Sequence, residues 1–215
     1  MKVLAIETSC DETSAAVVEF NNGMYTIYSN IVYSQVATHA KTGGVVPEVA
    51  AREHCVKIVP VVERALQEAK ATKRTIDAIT VTAGPGLITS LAVGVEAAQT
   101  LAYLWSKPLI PVNHIEGHVA ANWLQNIPVL FPALCLVVSG GHTELLLMKR
   151  EGSYSCIGRT LDDAAGEAFD KVAKLMRLPY PGGPAISKLA EHGNAHAYPL
   201  PSPMLNAKNF DFPLP

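Results

Sequence analysis

One order of predicted elements occurs twice in this sequence and limits the folds that it can adopt. Its first occurrence begins with the apolar run Lys2–Thr8, which is rich in β-forming residues and predicts a buried strand. A polar turn follows at Ser9–Glu12, and Ser14–Phe20 and Tyr25–Tyr33 predict two more strands. Helical periodicity then extends over Glu48–Ala69.

The same order returns in the second half of the chain. Ala133–Val138 predicts a buried strand, Ser139–His142 a polar turn, and Glu144–Met148 and Tyr154–Arg159 two further strands. The Ala-rich segment Ala164–Met176 predicts the helix that closes this second occurrence. The repetition favours a duplicated α/β lobe with a ligand cleft between the copies. Because β-hairpins are common, coincidence is the alternative.

The first lobe contains additional elements before the pattern repeats. Ala78–Thr82 and Leu109–Val112 predict strands, and Leu87–Trp105 predicts a long helix. Pro60 lies inside the helix predicted before them, where we expect a kink or a break.

A proline-flanked linker, Pro128–Pro132, separates the two occurrences and predicts the domain boundary. We expect a first lobe at residues 1–128 and an incomplete second lobe at residues 129–215. A short helix is predicted over Pro184–Glu191, and beyond Ala197 the sequence predicts no regular element.

Charge and apolar patterning exclude several classes of protein. With 17 basic and 19 acidic residues the formal charge is −2, which argues against a broad basic surface for nucleic acid but not against tRNA bound with a partner's help. The longest apolar stretch, Leu87–Trp105, contains Glu96 and predicts a buried helix, so no membrane span is expected. The four cysteines are scattered without a CxxC pair, which is typical of reduced cytoplasmic thiols.

Two histidines four residues apart form a candidate metal site. Asn113 is a suitable helix N-cap, and the helix that follows would place His114 and His118 about 40° apart on one face. Such a pair can bind one metal ion, or can simply lie on a polar helix face. A zinc protease needs its acid directly after the first histidine, whereas Glu116 comes one residue later. Peptidase chemistry is therefore not expected.

Two polar turns occupy matching positions in the two occurrences. Small residues in Ser139–Thr143 would let backbone amides approach an anion, although a plain glycine hairpin is the alternative. Thr8–Thr13 offers hydroxyls and carboxylates, which usually face phosphates through Mg²⁺, although a solvent-exposed capped turn would have the same composition.

The later part of the chain offers weaker candidates. Asp170 could accept hydrogen bonds from a ribose, or could be a surface charge paired along its helix. The glycines of Pro181–Pro184 could lie against a ligand or make a simple turn. His192 and His196 surround Gly193, so we expect them at the surface.

Taken together, the motifs resemble those of the TsaD family of tRNA adenosine threonylcarbamoyltransferases. The segments that carry the resemblance are VLAIETSCDETSAAVV, KTGGVVPEVAAREH, GPGLITSLAVG, PVNHIEGHVAA, LVVSGGHTELLLM, DDAAGEAFDKVAKLM and YPGGPAISKLA. The resemblance implies an actin-like, sugar-kinase-like ATPase fold of two related lobes, the second one truncated. It also implies an acyltransferase that moves a threonylcarbamoyl group from threonylcarbamoyl-AMP to N6 of adenosine 37 in tRNAs reading ANN codons.

Site residues follow from matching the family's motifs to this chain. His114 and His118 would bind one divalent metal, iron or alternatively zinc. The residues expected to contact threonylcarbamoyl-AMP or ATP are Val137, Val138, Ser139, Gly140, Gly141, Asp170 and Gly183.

The resemblance also implies partners and a cytoplasmic location. The implied partners are tRNA, an ATPase subunit of the same pathway and a related smaller subunit that docks on the first lobe. We expect that docking to centre on the Leu87–Trp105 helix, where small residues allow close approach, although burial in the chain's own core is the alternative. The residues that indicate the docking stripe are Leu91, Ala92, Gly94, Val95, Ala97, Ala98, Leu101 and Ala102.

The chain is shorter than the family pattern, and this leaves two hypotheses. Three features of the family have no counterpart in this sequence. The first is the third metal ligand, which is an aspartate. The others are an asparagine that touches the substrate and a Gly-Gly turn that binds adenosine. The chain is then either the transferase subunit in incomplete form or an inactive relative that serves as a partner-binding scaffold. We expect the 215-residue chain alone to transfer threonylcarbamoyl at no useful rate.

Overall fold

A computed structural model describes residues 1–199, 204 and 208–213 and divides the chain into two compact units, Met1–Pro128 and Val129–Pro215. Within the described residues, every helix is too short or too polar to cross a membrane.

A five-stranded mixed sheet forms the centre of the first unit. Its strands lie in the order β3-β2-β1-β4-β5, with β1–β2 and β2–β3 antiparallel and β1–β4 and β4–β5 parallel. In chain order the strands are β1 (Lys2–Glu7), β2 (Glu12–Asn21), β3 (Met24–Ser34), β4 (Ala78–Gly84) and β5 (Leu109–Asn113).

Four helices connect or follow these strands. They are α1 (Val36–His39), α2 (Pro47–Glu68), α3 (Ile88–Trp105) and α4 (His114–Ala120), and a 3-10 helix at Ala121–Gln125 continues α4. Of the kink or break expected at Pro60, the break is wrong, because α2 is one continuous helix, and the kink stays a prediction.

Buried contacts on both sides of Pro60 explain this continuity. Ile58 precedes the proline and Val61 and Val62 follow it, and each is 6% exposed in the core of the unit. Tertiary packing of an apolar face therefore outweighs the backbone hydrogen bond that proline removes.

The core of the first unit lies between the sheet and the helices α2 and α3. Strand residues such as Leu4 and Ile79 are fully buried there. Most of the predicted docking stripe also packs in or against this core, so the alternative of burial in the chain's own core holds for those residues. They are Gly94, Val95, Ala97, Ala98, Leu101 and Ala102.

The second unit contains a three-stranded antiparallel sheet and two helices. The strands β6 (Ala133–Val138), β7 (Thr143–Arg150) and β8 (Ser153–Arg159) pair in that order. Helices α5 (Ala165–Leu175) and α6 (Gly182–Ala190) follow.

Part of the C-terminal segment contacts the end of β8. Phe212 forms an isolated parallel bridge with Thr160, and the Asp211 carboxylate accepts a hydrogen bond from the Arg159 amide at 3.0 Å. The remainder of the tail, for which the sequence predicts no regular element, lies partly outside the described residues.

Candidate functional site

The parallel strands of the first unit place polar residues at one edge of the sheet. Glu7 ends β1, Thr82 lies near the end of β4, and β5 ends at Asn113, directly before His114. Because the carboxyl ends of parallel strands meet at the same edge, residues far apart in sequence come together here. Ligand sites of α/β proteins commonly lie at such an edge.

Helix α4 begins at this edge and presents both histidines. The Asn113 side chain accepts hydrogen bonds from the amides of Ile115 at 2.9 Å and Glu116 at 3.3 Å, which confirms the predicted N-cap. The Nε2 atoms of His114 and His118 are 3.1 Å apart, and their ring centroids are 4.5 Å apart. The i, i+4 spacing therefore brings the two imidazoles together on one face.

The separation of the two Nε2 atoms fits a shared divalent ion. With metal–nitrogen bonds of about 2.0–2.1 Å, two ligands would be about 2.9 Å apart at a right angle and about 3.4 Å apart in a tetrahedral arrangement. The observed 3.1 Å lies between these values. The described part of the chain contains no cluster of three or more His, Cys, Asp or Glu side chains suited to a metal. A complete coordination sphere would therefore need further donors.

The Glu7 carboxylate binds the other side of the His114 ring. Nδ1 of His114 lies 3.3 Å from Oε2 of Glu7 and 3.2 Å from Oγ of Ser9. Thr82 donates its hydroxyl to the same Glu7 oxygen at 2.5 Å, and the Ser9 amide donates to Oε1. A proton on Nδ1 shared with this carboxylate leaves the lone pair of Nε2 directed towards His118, as in the carboxylate–histidine pairs of metal sites.

The electrostatics of Glu7 favour its charged form. Burial by itself raises the pKa of this carboxyl, but hydrogen bonds from His114, Ser9 and Thr82 outweigh it and lower the pKa from 4.5 to about 2. Glu7 is therefore an acceptor for the His114 ring throughout the physiological pH range.

Glu116, the acid between the two histidines, is exposed on α4. Its backbone amide binds the Asn113 cap. The expectation from sequence that it does not serve as the base of a zinc protease stays a prediction.

Two acidic residues, Asp11 and Glu12, are adjacent where the polar turn meets the start of β2. Partial burial and the neighbouring Asp11 carboxylate raise the pKa of Glu12, and a hydrogen bond from Ser34 only partly offsets them. Two carboxylates that repel each other in this way are suited to a cation, as the sequence predicts for the Thr8–Thr13 turn.

In the second unit, the Ser139–His142 turn is closed by its own serine. Oγ of Ser139 accepts hydrogen bonds from the amides of His142 at 3.0 Å and Gly141 at 3.4 Å. The amide of Gly140 has no acceptor within the described residues, and a Cβ at Gly140 or Gly141 would meet open space. The turn therefore offers an open backbone surface with one amide available to a ligand.

Helix α5 packs its first turn against this glycine turn. Thr143 accepts the Ala165 amide at 2.8 Å, and Ser139 O accepts the Gly166 amide at 3.1 Å. A Cβ at Gly166 would lie 2.8 Å from Cα of Gly140, so only glycine permits this approach.

Asp170 and the Gly182–Gly183 pair form a second feature of this unit. Oδ1 of Asp170 accepts the Gly182 amide at 2.6 Å and so caps α6, whose preceding Pro181 provides no side-chain cap. A Cβ at Gly182 would lie 2.7 Å from Cα of Asp170, whereas a Cβ at Gly183 would meet nothing within 4 Å. Gly182 is thus required for packing, and Gly183 borders open space. Val137 and Val138, which are also predicted to contact the nucleotide, lie at the end of β6. Val137 is buried and Val138 is exposed.

Sequence reasoning missed the partners of His114. Glu7 and Thr82 were not among the predicted site residues, and Ser9 was named only as part of the Thr8–Thr13 turn, although all three contact this histidine or its carboxylate. One signal was available for Glu7, because a charged residue at the end of an otherwise apolar strand is costly unless it has partners.

A family model and two curated relatives of this chain carry the same description. The family model described as TsaD, tRNA N6-adenosine threonylcarbamoyltransferase, matches residues 26–213. The tRNA N6-adenosine threonylcarbamoyltransferase of Thermomicrobium roseum is 56% identical over 218 residues, covering 99% of this chain and 59% of the relative. That of Bacillus subtilis is 55% identical over 212 residues, covering 99% of this chain and 60% of the relative. The chain thus spans about three fifths of the length of these curated relatives.

Among solved structures, YeaZ from Pseudomonas aeruginosa matches with a TM-score of 0.46 and 18% identity, covering 73% of this chain and 68% of that one. Since the family model matches most of the chain and the curated relatives share more than half of its residues, this chain belongs to the TsaD family of tRNA N6-adenosine threonylcarbamoyltransferases.

Proposed function

We propose that the chain is the metal-binding part of an enzyme of tRNA threonylcarbamoyladenosine biosynthesis. The enzyme transfers the threonylcarbamoyl group of threonylcarbamoyl-AMP to N6 of adenosine 37 in tRNAs that read ANN codons. Family membership supports this assignment. The observation that carries it is the pair of imidazole Nε2 atoms 3.1 Å apart, with the Glu7 carboxylate behind one of them.

The residues that would hold the metal are His114 and His118. Glu7 fixes the His114 ring by accepting its Nδ1 proton, and Ser9 contacts the same nitrogen. The expected ion is iron, or alternatively zinc, since imidazole suits both. Such an ion polarises a carbonyl or phosphate oxygen when it is bound.

The nucleotide ligand, threonylcarbamoyl-AMP or ATP, is assigned to the second unit. The Gly140 amide and the open surface at Gly141 and Gly183 suit a phosphate or a ribose that lies against backbone. The carboxylate of Asp170 lies next to the residue that precedes Gly183, because it caps α6 at Gly182. Val137, Val138 and Ser139 provide the strand end and the serine that shape the turn.

The chemistry requires positioning more than proton transfer. The N6 amine of adenosine forms a bond to the carbamoyl carbon, the bond from that carbon to the phosphate oxygen breaks, and AMP leaves while N6 loses a proton. Holding donor and acceptor in line accounts for a large part of the rate in such transfers. The Gly140 amide of the glycine turn is suited to hold the adenylate.

The alternative function, an inactive scaffold for a partner protein, is less well supported. The curated relatives carry the transferase name. A scaffold also has no need for paired imidazoles aligned by a carboxylate that is kept charged.

The partners that follow from this function are tRNA, an ATPase subunit of the same pathway and a related smaller subunit, all in the cytoplasm. The outer faces of α2 and α3 are suited to the smaller subunit. Val56, Val59, Tyr103 and Leu104 are 65, 60, 84 and 64% exposed there. Exposed apolar groups on adjacent helices are typical of protein interfaces.

An Ala92→Arg variant tests this docking surface. Ala92 is exposed on α3, so we expect the arginine to leave the folded chain intact but to weaken binding of the smaller subunit by about tenfold or more. Ala98→Arg is the matched control. Ala98 is fully buried, so this variant should unfold the chain. Binding is measured by titration calorimetry and folding by circular dichroism. Wild-type binding by a folded Ala92→Arg chain would exclude this surface.

A chimeric protein tests the proposed transfer reaction. It joins this chain to the remaining residues of the Bacillus subtilis relative, which is 55% identical over the shared part. With the adenylate-forming enzyme, partner subunits, ATP, threonine, bicarbonate and unmodified tRNA, we expect threonylcarbamoyladenosine by mass spectrometry. The same chimera with His114→Ala and His118→Ala should lose about 100-fold or more of this rate. A folded chimera that forms no modified adenosine would contradict the proposal.

A further inference from the structure

A buried histidine outside the candidate metal site contacts the turn that leads into it. His54 lies on α2 and is fully buried. Its Nδ1 is 2.7 Å from the Thr13 hydroxyl, and its Nε2 is 3.0 Å from the Cys10 carbonyl oxygen. One side chain of α2 therefore bridges the middle of the Ser9–Glu12 turn and the start of the strand that follows it.

The partners of His54 define the form of its ring. The Cys10 carbonyl can only accept, so in the neutral ring the proton lies on Nε2. Nδ1 then accepts a hydrogen bond from the Thr13 hydroxyl. The two bonds have opposite polarity, and different side chains can therefore imitate each of them separately.

Three successive carbonyl groups of the turn are held from three different elements. The Leu87 amide at the start of α3 donates to Ser9 O at 2.8 Å, and the Gln35 amide after β3 donates to Asp11 O at 3.0 Å. His54 holds the carbonyl between them. The other two donors are backbone amides, so His54 is the member of this set that substitution can remove.

We propose that His54 is a positioning residue, whose Nε2–H bond to Cys10 fixes the Ser9–Glu12 turn so that Ser9 and Glu7 align His114. This inference rests on the proposed metal site. Ser9 directly precedes the fixed carbonyl of Cys10. It contacts Nδ1 of His114 at 3.2 Å through its hydroxyl, and its amide donates to Glu7. A displaced turn would therefore release both groups that orient the ring.

Two substitutions separate the two bonds of His54. His54→Gln retains an N–H donor near the position of Nε2 and loses the acceptor for Thr13. His54→Asn retains an acceptor near the position of Nδ1 and loses the donor to Cys10. Each variant removes one buried hydrogen bond, so both are expected to lower global stability. Only His54→Asn should loosen the turn.

Amide hydrogen exchange in the 215-residue chain is the first readout. The Leu87 and Gln35 amides report on the turn because its carbonyls are their acceptors. The Asp77 amide, which donates to Lys2 O at 2.8 Å, reports on the sheet away from the turn. Relative to Asp77, we expect the two reporter amides to exchange about tenfold faster in His54→Asn, and at wild-type rates in His54→Gln.

Zinc affinity, measured by titration calorimetry, is the second readout. We expect His54→Asn to weaken zinc binding about tenfold, because removing a residue that orients a metal ligand costs at least about this much. We expect the His54→Gln chain to bind zinc as the wild type does. Absence of zinc binding in the wild type would refute the metal site and with it the function of His54 at that site. The exchange rates would still establish whether His54 holds the turn.

Other outcomes overturn the inference directly. Wild-type relative exchange of Leu87 and Gln35 in His54→Asn shows that His54 does not hold the turn. Equal acceleration in both variants shows a general packing role. If His54→Asn fails to fold, His54→Gln decides alone: wild-type exchange and zinc affinity support the inference, and a loss of either contradicts it.

Discussion

Zinc binding by the chain is expected to disappear when His114 and His118 are both replaced by alanine. Their Nε2 atoms, 3.1 Å apart, are the two imidazole donors of the candidate site. Removing both should reduce zinc affinity by more than about 100-fold, beyond the usual effect of altering a residue that only orients a ligand. Equilibrium dialysis against zinc, with metal content determined by elemental analysis, measures the change.

The chain provides a matched control for this double substitution. His192 and His196 have the same spacing but are exposed in the segment after α6. His192→Ala with His196→Ala changes the composition identically and should leave zinc affinity within about twofold of wild type. An equal loss in both double variants would show adventitious binding to surface imidazoles.

The second large effect is expected at Glu7. Glu7→Gln retains the size of the side chain but replaces the charged acceptor of the His114 Nδ1 proton by a neutral amide. Because a carboxylate raises the basicity of the imidazole and fixes its tautomer, we expect zinc affinity to fall about 10–100-fold. Competition with a chromophoric chelator measures this range directly.

Glu116→Gln serves as the comparison for Glu7→Gln. It removes the same charge from an exposed position on α4, between the two histidines in sequence. An exposed charge contributes little, so affinity should change by less than about twofold. Equal losses in the two variants would mean that net charge near the site, and not the contact with His114, is responsible.

Much of the fold follows from local sequence patterns. The α/β class of the fold is confirmed by the mixed sheet and its helices, and the actin-like ATPase type is what the resemblance to the TsaD family implies. Each predicted strand is present, with ends shifted by only a few residues, because apolar alternation and turn residues are local signals. The continuity of α2 through Pro60 was not predictable, since it depends on which neighbours bury Ile58 and Val61.

Local spacing also predicted the geometry of the histidine pair. Asn113 caps α4, and an i, i+4 pair on a helix necessarily shares a face. The contacts of His114 could not be predicted in this way. Glu7 precedes it by 107 positions in the chain, and the two meet only because β1, β4 and β5 are parallel neighbours.

The glycine turn shows where residue type alone misleads. Ser139 and the two glycines suggested several amides open to an anion. In the structure the Ser139 hydroxyl accepts two of those amides and leaves the Gly140 amide open. A serine that competes for backbone donors is a local effect of side-chain rotamer, which a sequence pattern does not specify.

X-ray absorption at the zinc edge tests most directly whether His114 and His118 bind one ion. For the zinc-loaded wild-type chain we predict two imidazole nitrogens at about 2.0–2.1 Å per zinc, with oxygen donors as the remaining ligands. For the chain with His114→Ala and His118→Ala, loaded identically, the imidazole multiple-scattering signal should be absent. The same imidazole signal in both proteins, or none in the wild type, would contradict a metal site on α4.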